Sequence, residues 1–202
     1  MSAVAIVDNG GANIASLQYA LGRLGVESRL TADAAELRAA TRVIMPGVGA
    51  ASDAMLRLRT LGLVETIRSL EQPVLGICLG MQLLFRASEE AESGAETACL
   101  AVIDARVLRM RAHSDLPVPH IGWNRLEIGR DAALLRGIED GAHMYFVHSF
   151  AAPAGPWTVA TCSYGDRFAA VVQHRNFHGT QFHPERSAGL GSRLLANFLS
   201  LH

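Results

Sequence analysis

The sequence has no excess of either charge: 18 Lys and Arg stand against 19 Asp and Glu, a formal net charge of −1. It also has no basic run, so nothing in it draws the chain to nucleic acid. Cysteines are few. Cys78, Cys99 and Cys162 are odd in number and show no CxxC spacing, which fits a reducing cytoplasm better than a disulfide framework or a zinc site. The first eight residues lack the basic start and long apolar segment of a signal peptide. No apolar stretch is long enough to span a bilayer, and no GxGxxG or P-loop offers a nucleotide site. Internal repeats and low-complexity tracts are missing as well. The expectation is a soluble, cytoplasmic protein. What the chain does have is apolar mass: half of its 202 residues are hydrophobic and 18% are charged. That suffices for one well-buried core, and a single domain over residues 1–202 is expected.

The first half alternates short strand-like and longer helix-like segments. Residues 3–7 read as a buried strand. Ile14, Leu17, Leu21 and Leu24 share one helical face that ends near Gly25. Strand patterns follow at 26–31, 43–45 and 73–77, with helical sequence at 34–40 and 54–70, and a helix-like run at 81–85. Such βαβα alternation predicts a mostly parallel open sheet with helices on both faces. From residue 97 onward strand-like runs follow one another, at 100–108, 144–150, 157–162, 169–174 and 179–182, which predicts added antiparallel strands. A final amphipathic helix spans 190–201. The polar, acidic segment 87–98 reads as the most mobile loop.

The chemistry concentrates at Gly76-Ile77-Cys78-Leu79-Gly80. A strand, a sharp turn with glycine on both sides and then a helix lifts one nucleophile out of its backbone. The glycines allow close backbone packing where a side chain would collide, and a helix N-terminus suits the charge of an attacking sulfur. Taken alone, the pentapeptide is equally compatible with a buried structural cysteine. The deciding partner is Gln181-Phe182-His183-Pro184-Glu185. A cysteine nucleophile needs a base, and the base needs a group that fixes its tautomer. In extended backbone, residues two apart share a face, and a proline biases the residue before it towards extended geometry. Glu185 is therefore expected to reach the far ring nitrogen of His183. The other seven histidines have no such local support. Attack on an amide also needs donors for the oxyanion. The amide of Leu79 and the turn Pro46-Gly47-Val48-Gly49 are the candidates, because the carboxyl ends of neighbouring strands in an open α/β sheet share one crevice.

Together these two motifs resemble the triad (class I) glutamine amidotransferases, which hydrolyse glutamine through a cysteine thioester and pass on the ammonia. Further segments, Pro46-Gly47-Val48-Gly49-Ala50, Pro119-His120-Ile121-Gly122-Trp123-Asn124, Tyr145-Phe146-Val147-His148-Ser149 and Ala160-Thr161-Cys162-Ser163-Tyr164-Gly165, extend the resemblance over nearly the whole chain. They narrow it to the glutaminase subunits of histidine biosynthesis that pair with a (β/α)₈-barrel cyclase. The resemblance implies a flavodoxin-like fold, L-glutamine as substrate, a heterodimer with that cyclase, and neither cofactor nor metal. It implies Cys78 as nucleophile, His183 as base and acid, and Glu185 as orienter. It further assigns Gln82, Glu90, Ser149 and Phe150 to the substrate pocket, and Gly47, Val48, Gly49 and Leu79 to oxyanion binding. Trp123, Asn124, Tyr145 and Arg186 would lie towards the partner. Arg186 stands where the family usually has lysine, and residues 8–13 also depart from the usual pattern. Competing readings are an amidotransferase serving another synthase, a cysteine hydrolase, and a binding module that merely keeps the fold.

Overall fold

Short aliphatic strands and amphipathic helices alternate through the first half. The structure, a computed structural model, describes residues 4–10, 14–90, 96–112 and 115–201. Strands β1 (Val4–Val7), β2 (Ser28–Thr31), β3 (Arg42–Met45) and β4 (Val74–Ile77) pair in parallel in the order β2-β1-β3-β4. β1, β3 and β4 are buried along their whole length, as strands covered on both faces must be. Helix α1 (Ile14–Arg23) turns Leu17, Ala20 and Leu21 into the core and ends before Gly25, whose φ of +75° a side chain would resist. Helix α2 (Ala34–Ala39) is capped by Asp33, whose carboxylate accepts from the Ala35 and Glu36 amides at 2.6 and 3.1 Å. The helical sequence expected over 54–70 is two helices, α3 (Ala51–Thr60) and α4 (Leu63–Arg68), separated at Gly62 with φ +66°.

After β4 comes a single helical turn, α5 (Leu79–Gln82), and the chain then becomes strand, not helix, at β5 (Phe85–Ser88). The helix expected through Phe85 is thus corrected. Residues 81–85 are buried on every side, so their periodicity carries no information about helix or strand. The segment expected as a mobile loop holds β5 and β6 (Thr97–Ala98) at its two ends; its middle, residues 91–95, lies outside the described residues. β7 (Ile103–Arg109) runs parallel to β5. An unexpected strand, β8 (His120–Arg125), is followed by β9 (Glu127–Ile128), β10 (His143–His148) and β11 (Phe150–Ala151). β8 and β10 form an antiparallel ribbon that sets Trp123 opposite Tyr145 and His120 opposite His148.

β12 (Thr158–Tyr164), β13 (Asp166–His174) and β14 (Phe177–Thr180) complete the main sheet, whose order is β2-β1-β3-β4-β14-β13-β12-β9. β14 is antiparallel to β13 but parallel to β4, with Thr180 opposite Ile77. The carboxyl ends of β3, β4 and β14 therefore open at one edge, and the three sequence motifs leave the sheet there. Helix α6 (Ala188–Leu199) packs Leu194, Leu195 and Phe198 into the core. No helix of the described residues is long and apolar enough to cross a membrane.

Three histidines lie buried in this core. Burial lowers the pKa of His120 to about 4, of His148 to about 3 and of His178 to about 4. Each is neutral when folded, whereas the unfolded chain protonates near pH 6.5. Between about pH 6.5 and 4 the unfolded state holds more protons, so stability falls as pH falls, by about 1.4 kcal/mol per pH unit for each histidine. Urea midpoints measured at pH 7, 6 and 5 should drop, and His178→Leu should flatten the drop. Equal midpoints across this range would contradict the burial.

Candidate active site

Cys78 occupies strained backbone between β4 and α5, with φ +53° and ψ −112°, a conformation that residues other than glycine rarely adopt. Close packing enforces it. A Cβ on Gly76 would meet the Gly80 carbonyl oxygen at 2.6 Å, and one on Gly80 would meet the Met45 carbonyl oxygen at 1.7 Å. The Cys78 amide donates to the Thr180 carbonyl at 2.7 Å, which ties the cysteine to the strand that leads to His183. Its thiol lies 3.7 Å from the Val147 carbonyl oxygen and 3.8 Å from Gln181 Nε2.

His183 Nδ1 and Glu185 Oε1 are 2.8 Å apart, with both side chains more than nine-tenths buried. The pair meets as expected, but by another route. Residues Pro184–Arg186 form a 3₁₀ turn, so Glu185 folds back onto the ring and does not share an extended face with it. Proline starts such a turn as readily as it extends the residue before it, and His183 itself is extended. Burial opposes a charge on His183. The neighbouring Cys78 and Glu185 outweigh that effect and raise its pKa to about 10. Its contribution to stability thus runs opposite to that of the three core histidines: it is present below pH 6.5 and lost as pH rises towards about 10. Cys78 is near enough to influence the ring, yet His183 Nε2 has no hydrogen-bond partner, a loose geometry common before substrate binds.

These groups line one cavity of about 320 Å³. Gln82, Glu90, Ser149, Phe150, Gly47, Val48, Gly49 and Leu79 line it too, as does Arg186. Gln82 is 4% exposed and far from a solvated helix face. Its Nε2 donates to the Phe150 carbonyl at 2.8 Å and to Gln181 Oε1 at 3.0 Å, which leaves Oε1 as the atom available to a ligand donor. Glu90 Oε2 accepts from the Ala51 amide at 2.9 Å, just beyond the glycine turn, and burial raises its pKa. The turn itself packs on the cysteine: a Cβ on Gly47 would come within 2.8 Å of Leu79 Cβ. Leu79 opens α5, so its amide has no acceptor within the helix.

Trp123, Asn124 and Tyr145 do not line the cavity. Trp123, 53% exposed, meets the Tyr145 ring edge-on with centroids 6.0 Å apart, and the Arg186 guanidinium lies 5.9 Å from the same ring. Together they form an exposed patch. Asn124 is on the other face of β8, where its amide donates to the Ser163 carbonyl at 3.1 Å, so it does not belong to that patch. Tyr145 joins patch to site, since its carbonyl accepts from the His183 amide at 2.9 Å. Three polar residues escaped sequence reasoning. Gln181 is fully buried beside Cys78, and its position two residues before His183 was the available signal. His148 lines the cavity. Asn9 donates to the Pro46 carbonyl at 2.6 Å and so anchors the start of the glycine turn.

The family model of the class-I glutamine amidotransferases matches residues 5–201. The chain belongs to that family. Among curated relatives, this amidotransferase is 53% identical to the imidazole glycerol phosphate synthase subunit HisH of Xanthomonas euvesicatoria pv. vesicatoria (strain 85-10) over 201 residues, covering 100% of this chain and 98% of the relative. The HisH subunit of Xylella fastidiosa (strain 9a5c) is 51% identical over the same shares. Among solved structures, a crystal structure of a glutamine amidotransferase superposes with a TM-score of 0.72 over 97% of this chain and 96% of the other, at 21% identity. At that identity the likeness speaks for the shared fold alone.

Proposed function

We propose that this amidotransferase is the glutaminase subunit of imidazole glycerol phosphate synthase and acts through Cys78, His183 and Glu185. The observation that carries the reading is the meeting of Cys78 with the His183–Glu185 pair in one cavity beside the glycine turn. His183, held protonated by its raised pKa, has taken the proton of Cys78, whose thiolate attacks the side-chain amide carbon of glutamine. The Leu79 amide and the Gly47–Gly49 turn stabilise the resulting oxyanion. His183 returns the proton to the leaving nitrogen, so ammonia departs and a γ-glutamyl thioester remains. Water then attacks the thioester, giving its proton to His183. Sulfur leaves as the thiolate, His183 keeps that proton, and glutamate is released. Glu185 keeps the ring oriented with Nε2 towards the reacting atoms. Gln82, Glu90, Ser149 and Phe150 hold the substrate.

Ammonia in neutral water is quickly protonated and stops being a nucleophile, so direct transfer to a second subunit has a chemical reason. That subunit would be a (β/α)₈-barrel cyclase, docked on the patch of Trp123, Tyr145 and Arg186, with the whole chain serving as one glutaminase domain in the cytoplasm. Val48 is 45% exposed and Gly49 has φ +89°, which suits a turn that reorients when the partner binds. The test is glutamate release from glutamine, by the chain alone and with a cognate cyclase carrying its nucleotide ligand. Strong activation in the occupied complex is expected. Full activity of the isolated chain, unaffected by the cyclase, would point to a different partner.

A further inference from the structure

Two buried histidines that the mechanism leaves unused join the β8–β10 ribbon to the cavity. His148 Nδ1 lies 2.9 Å from the Phe150 carbonyl oxygen, His120 Nδ1 lies 3.0 Å from His148 Nε2, and Asn124 Nδ2 lies 3.3 Å from His120 Nε2. The chemistry fixes every proton in this row. A carbonyl only accepts, so His148 carries its hydrogen on Nδ1, and its Nε2 accepts from His120 Nδ1–H. His120 Nε2 must then accept, and Asn124 has its amide nitrogen there. The orientation of Asn124 is set independently, because Nδ2 also donates to the Ser163 carbonyl at 3.1 Å and Oδ1 accepts from the Arg125 amide at 2.8 Å. All the bonds therefore point one way, towards Phe150.

The row is enclosed by aromatic rings. His120 stacks on Tyr164 with centroids 4.0 Å apart and on Phe146 at 5.0 Å, and His148 meets Phe168 edge-on at 5.0 Å. Apolar side chains would fill this space at lower desolvation cost. What two histidines add is direction, delivered at the Phe150 carbonyl. That oxygen also receives Gln82 Nε2, and Gln82 continues through Gln181 to the Cys78 thiol.

We infer that Asn124, His120 and His148 are positioning residues: they form a one-directional hydrogen-bonded strut that holds the Phe150 carbonyl and Gln82 in place and so sets the affinity of the cavity for glutamine. The inference rests on the glutamine reading of the site. It also gives Asn124 a place in the molecule away from the exposed patch.

Two measurements on the full-length chain test it. Nitrogen NMR of ¹⁵N-imidazole-labelled protein at pH 7 should show His120 and His148 as neutral Nδ1–H tautomers, and an Nε2–H tautomer at either would overturn the strut. Protection of Cys78 from iodoacetamide by glutamine reads the affinity. His148→Phe should raise the glutamine concentration for half-protection by about tenfold, the usual effect of losing one buried hydrogen bond, with each variant's protection referred to its own unprotected alkylation rate. His148→Asn, which can place an amide N–H near the position of Nδ1, should recover most of the loss. Unchanged protection in His148→Phe would overturn the inference. Failure of glutamine to protect even the wild-type chain would instead overturn the glutamine reading, and the claim about affinity with it, whatever the tautomers show.

Discussion

Cys78→Ala is expected to abolish glutamine hydrolysis, by a factor on the order of 10⁴ or more, as removal of a nucleophile does in comparable sites. No other thiol can take over. Cys99 and Cys162 do not line the cavity, and burial pushes the pKa of each up to about 12, which leaves them poor nucleophiles. Alanine tolerates positive φ about as well as cysteine, so the turn should survive and the loss should be chemical. The distinguishing measurement is made in the assembled synthase, with glutamine and with added ammonium salt as nitrogen source. Ammonia-dependent synthesis should remain near the wild-type rate while glutamine-dependent synthesis disappears. Loss of both would mean that Cys78 supports the assembly and not the chemistry. Glutamine-dependent activity above about 1% of wild type would remove it from the nucleophile's role, given the size of effect expected.

Gly80→Ala should be among the most damaging single methyls in the described residues. Its Cβ would sit 1.7 Å from the Met45 carbonyl oxygen and 2.7 Å from the Met45 carbonyl carbon. Both atoms are backbone at the end of a central strand, so no side-chain rotation relieves the clash. β3 and α5 must separate, and the Pro46–Gly49 turn moves with them. The expected cost is about 3 kcal/mol or more, beyond ordinary overpacking, which lowers Tm by about 10 °C in a protein of this size. Gly22→Ala provides the contrast. Gly22 lies in α1 with nothing within 4 Å of its Cβ position, and alanine there should stabilise by about 0.5–1 kcal/mol. Paired thermal melts would decide the matter. A Gly80→Ala protein that melts with the wild type would show that strand and turn do not approach so closely.

The difference between these two glycines was only partly legible in the sequence. Gly76 and Gly80 flank a cysteine, and that pattern announced a tight turn, but the object Gly80 avoids, Met45, is 35 residues away and visible only in the fold. The parallel half was readable because its strands are aliphatic runs separated by helical periods. Gly62 inside the 54–70 segment was the sign that it would split. Residues 81–85 misled because burial on all sides erases periodicity. β8 was missed because its exposed face carries Ile121 and Trp123, 59% and 53% exposed, which reverses the usual meaning of apolar alternation. His183 and Glu185 were readable as a pair from spacing alone, though the spacing served a 3₁₀ turn and not a strand. Asn9 and His148 were not readable. Each acts through a backbone carbonyl, of Pro46 and of Phe150, and carbonyls leave no trace in side-chain identity.

The bond from the Cys78 amide to the Thr180 carbonyl has a consequence for how the molecule comes apart. It continues the ladder between β4 and β14 past the end of β4, onto the last residue of β14. Nucleophile and base are thus carried by two neighbouring strands in the middle of an eight-stranded sheet, far from either edge where fraying starts. Local openings of the outer strands, the ribbon or the loops leave their spacing untouched, and only the loss of the whole sheet separates them. The paired residues have no melting temperature of their own.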